Sequence, residues 1–268
     1  MPQSNRVLIR GGGDLATGVT LRLYRAGIQC VITELARPLA VRRTVSFSEA
    51  VYEGEQTVEG VTAKRIEADQ LSAWNEADRI PVIVDPDASI LLKSDFPVVV
   101  DARLIKSTPS PLPRNVPLHI GLGPGFHAGE NCQAVIETHR SHTLGRVYWT
   151  GKTQPDSGEP EGDPRRILRA PCDGIIHSHV RIGEHVAGGQ KIATIGDHQT
   201  IVSPLSGVLR GMIRDELFVT EGLKVGDVDA RDDPAACLLV SDKSLAIGGA
   251  VLEAILSIPE IRRSLYAG

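Results

Sequence analysis

The chain has 268 residues, enough for about two domains at roughly 150 residues each. Hydrophobic residues at 41% and charged residues at 23% exclude a disordered chain, a collagen and a coiled coil. Twenty-nine basic against 33 acidic residues, with no basic block and only two Trp, four Tyr and four Phe, exclude nucleic-acid binding through phosphate contacts or base stacking.

In chain order, the short apolar strand Val7-Leu8-Ile9 runs straight into Gly11-Gly12-Gly13-Asp14. An amphipathic segment with Val19, Leu21, Leu23 and Ala26 follows and stops at Gly27, a residue suited to a left-handed helix cap. Residues 28–33 predict the second strand. Further apolar runs at 81–84, 97–100 and 117–120 lack alternation, which suits strands buried on both faces of a parallel sheet covered by helices. Between them, 58–66 reads as a weaker strand and 68–77 as a helix. Residues 133–138 and 146–150 flank a turn at 141–145 and predict a hairpin. The expectation for 1–150 is an α/β, Rossmann-like domain with a parallel sheet, binding a nucleotide.

Residues 151–166, rich in Gly, Pro and charge, predict a linker or exposed loop. An internal repeat comes next. At an offset of 33, Pro171-Cys172-Asp173-Gly174 matches Pro204-Leu205-Ser206-Gly207, and residues 186–192 match 219–225. Two such half-units imply two similar hairpins around a pseudo-twofold axis. They resemble the halves of biotinyl and lipoyl carrier domains, so 167–232 is expected to be an all-β barrel-sandwich hybrid. Carrier domains attach their cofactor to a lysine at the tip between the halves. Here residues 196–200 form the tip and no Lys occurs from 192 to 223, so no covalent biotin or lipoate is expected. In 233–268 a strand and a helix are expected to pack back on the first domain. Ser241 is placed to cap the helix, and Gly248-Gly249 inside it suits close packing on another backbone.

The leading chemical feature is the glycine turn. Gly11, Gly12 and Gly13, with Asp14 and Thr17 opening the helix, fit a G-x-G-x-x-A loop that brings backbone amides close to a pyrophosphate. Glu34 stands 21 residues after Gly13, where an acidic residue meets ribose hydroxyls. Asp14 opposes this reading, since a capping carboxylate consumes amides and repels phosphate; a turn that only packs helix on strand stays open. Arg42 and Arg43, with Arg10 and Arg37, either restore a positive field or form solvated pairs with Glu34, Glu49 and Glu53. Asp85 and Asp101 end strands, where they bind hydroxyls or Mg²⁺ or merely cap loops. Gly121, Gly123 and Gly125 form either a partial anion nest or a plain turn. His177, His179, His185 and His198 read as solvated strand residues, and no metal site is expected. His139 and His142 lie near Cys132 without an enforcing spacing. Cys132 is the thiol to test first, against the reading of a buried structural cysteine. No signal peptide and no run of about 20 apolar residues is seen, so the expectation is a cytoplasmic protein without a membrane segment.

Five motifs in order resemble the selenium-dependent molybdenum hydroxylase accessory family, the YqeB-type proteins. They are Ile9-Arg10-Gly11-Gly12-Gly13-Asp14-Leu15-Ala16-Thr17-Gly18, Pro38-Leu39-Ala40-Val41-Arg42-Arg43-Thr44-Val45, Gly121-Leu122-Gly123-Pro124-Gly125-Phe126, His142-Thr143-Leu144-Gly145-Arg146-Val147, and Ser241-Asp242-Lys243 through Ala246-Ile247-Gly248-Gly249. Residues 154–162 depart from the pattern expected at that loop. The resemblance implies an accessory or maturation factor partnered with a molybdenum hydroxylase or its maturation factors. Its ligand would be NAD(P) or a molybdopterin nucleotide, and a homo-oligomer stays open. Two other classes stay open beside it: an NAD(P)-dependent oxidoreductase, which would need a proton donor at the strand edge, and a non-enzymatic interaction module.

Overall fold

Strand β1 (Val7–Arg10) is buried along its whole length, as an unbroken apolar run at the centre of a sheet must be. The computed structural model describes residues 5–156, 163–196 and 199–266. The chain divides into two units: residues 1–38, 47–156 and 240–268 form the first, and 39–46 with 157–239 form the second.

In the first unit, Gly11 turns the chain out of β1 with a φ of +94°, a conformation open to glycine, and α1 (Asp14–Arg25) begins at once. Then come β2 (Cys30–Glu34), the short helix α2 (Ala50–Glu53), β3 (Glu55–Val58), β4 (Val61–Arg65), β5 (Arg79–Val84), β6 (Val98–Asp101) and β7 (Leu118–Leu122). The two-residue strand β8 (His127–Ala128), β9 (Ala134–Ile136), β10 (Val147–Tyr148) and β11 (Gly151–Lys152) complete the strands. Nine of these strands make one sheet in the order β10-β9-β7-β6-β1-β2-β5-β4-β3. Strands from β4 to β9 in that order are parallel neighbours, while β3 and β10 pair antiparallel at the two edges.

The expected fold class is corrected. The sheet is mixed rather than parallel, and α1 is the only α-helix longer than four residues between described strands of this sheet, so it is not the helix-covered Rossmann-like domain predicted. One face is closed instead by 3₁₀ turns and loops: Leu71, Leu91 and Phe96 pack with Leu8, Val31, Ile83 and Val99. Residues 68–77, expected to be helical, form a 3₁₀ turn over Ala68–Ala73 held by a Glu67–Gln70 capping box. Buried strands demand apolar cover on both faces, but an irregular segment with three or four large side chains supplies it as well as a helix does.

The tail of the first unit carries α3 (Asp242–Leu256) and α4 (Pro259–Tyr266). Ser241 caps α3 by accepting the Ser244 amide, the N-cap role its sequence position suggests. Residues 234–256 are long and apolar enough to cross a membrane by composition. In α3, however, Ile247, Ala250, Val251, Ala254 and Ile255 are buried inside the unit, against α1 and the sheet.

The second unit contains β12 (Ile167–Arg169), β13 (Gly174–Ser178), β14 (His185–Val186), β15 (Lys191–Ile195), β16 (Gln199–Val202), β17 (Gly207–Met212), β18 (Phe218–Val219) and β19 (Lys224–Asp229). They form two antiparallel four-stranded sheets, β12-β19-β17-β14 and β16-β15-β13-β18. The half-units exchange strands, β13 pairing with β18 and β14 with β17. The biotinyl/lipoyl-like barrel expected here is corrected to this pair of open sheets, each with two edge strands. Strands β12 and β16 and the segment 39–46 are incorporated as well, and a two-fold repeat of sequence does not announce them. The sequence expectations for residues 157–162 of the linker and 197–198 of the tip lie outside the described residues.

Candidate functional site

The glycine turn is built tightly, and Gly12 is engaged on both its amide and its carbonyl. Gly12 N–H donates to Glu34 Oε2 at 2.6 Å, and the Gly12 carbonyl accepts from Ser48 N–H at 2.8 Å and from Thr17 Oγ1 at 3.3 Å. A Cβ on Gly12 would meet the Ser48 nitrogen at 2.9 Å. Thr17, buried, also accepts the Phe47 amide. Asp14 Oδ1 accepts from its neighbour's amide, Leu15 N–H, and Gly13 sits at the N-cap of α1 with open space beside it. Glu34 therefore fills the role of an internal anion: its second oxygen accepts Leu35 N–H, and burial pushes its carboxyl above the usual range.

The remaining predicted residues are likewise placed. Asp101, fully buried, accepts from Arg10 Nη1 at 3.1 Å and from Arg103 Nη2 at 2.6 Å. Asp85 caps the 3₁₀ turn Ser89–Leu92 by accepting the Ser89 and Ile90 amides. Gly121 lies under the Phe126 ring, and Gly123 takes a φ of +95°. The Gly125 amide is bound to the Ile105 carbonyl, which removes it from any anion nest. Arg42 and Arg43 belong to the second unit, where they donate to the carbonyls of Ala236, Leu239 and Met212. His177, His179 and His185 lie on second-unit strands or their ends and contact Asp215, Thr194 and Asp232.

A cavity of about 630 Å³ opens elsewhere in the first unit. Its wall is the segment 109–118, with Pro109, Pro111 and Pro117 fixing the backbone and Leu112 and Val116 supplying apolar surface. Opposite lie residues 129–133, which lead into β9, with Trp149 and Ile258 completing the lining. His119, from the start of β7, and Cys132 both reach this cavity.

Burial dominates the electrostatics here. The His119 imidazole, 8% exposed, is pushed down to about 4 by desolvation, reinforced by Arg10 and Arg103 and opposed by Asp101. It is therefore neutral at physiological pH. Its backbone amide donates to Gln133 Oε1 at 2.7 Å, its ring meets Phe126 edge-on at 5.8 Å, and its Nε2 has no hydrogen-bond partner. The Cys132 thiol is pushed up to about 11 by burial, so it stays protonated and is no ready nucleophile. Among the described residues no Arg or Lys lines the cavity, and Glu130 is its one ionised side chain, bonded to His127 Nδ1 at 2.7 Å. Sequence reasoning singled out Cys132 but missed His119 and the cavity. The available signal was four prolines in nine residues, at 109, 111, 113 and 117.

Fold and site together describe a two-unit protein with a cavity of small-molecule size in its mixed-sheet unit. Along 94% of its length the chain is 46% identical to the uncharacterized protein YqeB of Escherichia coli K12. It spans about half (47%) of that relative's length. No family model matches. Solved structures with some likeness include an aspartoacylase family protein from Mesorhizobium loti, 11% identical, covering 84% of this chain and 85% of that one, TM-score 0.26. A succinylglutamate desuccinylase from Silicibacter is 13% identical over 84% and 85% of the two chains, TM-score 0.26. The product-bound ectoine utilization protein EutE (DoeB) of Ruegeria pomeroyi is 18% identical over 30% and 27%, TM-score 0.23. At these scores they bring neither fold nor activity to this chain.

The expected role is corrected accordingly. The nucleotide-binding accessory function and the nicotinamide-dependent alternative read from the sequence are withdrawn. The physical reason lies in the turn meant to seat a phosphate. Its Gly12 amide already holds the Glu34 carboxylate, and Arg42 and Arg43 are engaged in the second unit.

Proposed function

We propose that the first unit is a small-molecule-binding unit and that the cavity beside His119 and Cys132 is its seat. One observation carries the reading: a nine-tenths-buried, neutral imidazole with an orphaned ring nitrogen lines a cavity of about 630 Å³. Ligand cavities run to roughly 300–1,000 Å³, and an unsatisfied buried polar atom costs about 1–3 kcal/mol. Apolar walls with a few polar groups suit an organic molecule with a ring or short chain, and a lining without Arg or Lys disfavours phosphates and carboxylates.

Thermal-shift screening of a fragment library tests it. Neutral and cationic fragments are expected to raise the melting temperature, since a ligand of the native state stabilises it by mass action. Ser110→Trp, an exposed lining position, should abolish those shifts without unfolding the chain. A library that stabilises the wild type and Ser110→Trp alike, or neither, overturns the proposal. The cytoplasm is proposed as its compartment, supported by four free cysteines. Recovery of the native chain in a periplasmic or membrane fraction would overturn that placement.

A further inference from the structure

Resting on the ligand-binding reading above, we infer that the natural ligand of the His119–Cys132 cavity is a cation: a protonated amine carried on an apolar ring or chain. Three features of the lining converge on this charge. Glu130 is its only ionised side chain, two-thirds exposed at the lip, and the group it meets in the protein is His127, which carries a full positive charge only when protonated. Trp149, half-exposed, presents an aromatic surface to the same space, and aromatic faces attract ammonium groups. His119 is held neutral, so it sets no positive charge beside the cavity to repel a cation.

Two of the other polar lining residues are already engaged within the protein. Asn131 is occupied, its Oδ1 by the His127 amide and its Nδ2 on the Gly125 carbonyl. Gln133 gives its Oε1 to the His119 amide. The apolar body of the ligand would lie along Leu112, Val116 and the prolines, with its amine turned towards Glu130 and Trp149.

Protein-detected NMR titrations with three matched probes decide the matter: benzylamine, benzyl alcohol and benzoate, each added to the full chain at neutral pH. Benzylamine should bind about tenfold more tightly than benzyl alcohol, the size expected of one solvent-exposed ion pair plus one cation–aromatic contact. Benzoate should bind more weakly than either. Glu130→Gln should cut the preference to about threefold, the aromatic share alone. Ser110→Trp should block both benzylamine and benzyl alcohol. Equal affinities for amine and alcohol, both blocked by Ser110→Trp, would sink the cation inference and leave the ligand site standing. A benzylamine preference untouched by Ser110→Trp would place the binding elsewhere and overturn the inference, and tighter binding of benzoate would do so directly. Silence from all three probes would remove the ligand site and the cation inference together.

Discussion

Gly18 of α1 and Gly248 of α3 meet backbone to backbone: a Cβ on Gly248 would sit 2.6 Å from the Gly18 carbonyl oxygen. On the other side, a Cβ on Gly18 would sit 2.6 Å from the Ser244 Cβ and 2.7 Å from its carbonyl oxygen. Neither neighbour is the far end of a flexible side chain, so the helices would have to separate. Gly18→Ala and Gly248→Ala should each destabilise the first unit by about 1–3 kcal/mol, the range for overpacking. Gly249→Ala, with open space around it, should be neutral or stabilising, since alanine is the better helix former. Melting temperatures of the three variants check this ordering.

Asp101, itself fully buried, holds two guanidinium groups, that of Arg10 buried and that of Arg103 partly exposed. Asp101→Asn should lower the unfolding free energy by about 3–5 kcal/mol, because it leaves Arg10 buried without its charge partner. Replacing both members, Asp101→Leu with Arg10→Met, should recover much of the loss. Urea midpoints for the single and double variants give the comparison.

The His119 ring ties stability to pH. Its folded pKa of about 4 lies below the ordinary value of 6.5, so between those values the unfolded chain binds a proton that the folded chain refuses. Its contribution is complete above about pH 6.5 and declines as the pH falls towards 4, a change on the order of 3 kcal/mol. His119→Phe should flatten that portion of the stability–pH curve, measured by urea unfolding at a series of pH values.

Thiol labelling should follow burial and protonation. Cys172, partly exposed, should react first with iodoacetamide at neutral pH. Cys30, Cys132 and Cys237 are buried, with thiols held above their ordinary range, and should label only after unfolding. Peptide mass mapping over a time course reads the order. Rapid native labelling of Cys132 would contradict the burial described for it.

Much of the frame was written in local sequence. Val7 to Arg10, Gly11 and the periodic segment after it gave strand, turn and helix in register, and Ser241 marked the start of α3. Spacing did not reveal what Glu34 does, because a carboxylate that serves a ribose and one that fills its own glycine turn stand at the same distance along the chain. The cover over Leu8, Val31 and Val99 was illegible for another reason: Leu71, Leu91 and Phe96 come from turns without periodicity. His119 reads as an ordinary strand residue until the folded chain sets Cys132 and the 109–118 segment beside it.

Three prolines along one wall of the cavity leave that wall few conformations to explore in any state. The loss of chain freedom that shapes the cavity is incurred during folding, not at the arrival of a guest. Association should then be a single fast step without a slow closing phase, with selectivity expressed in how long each guest stays.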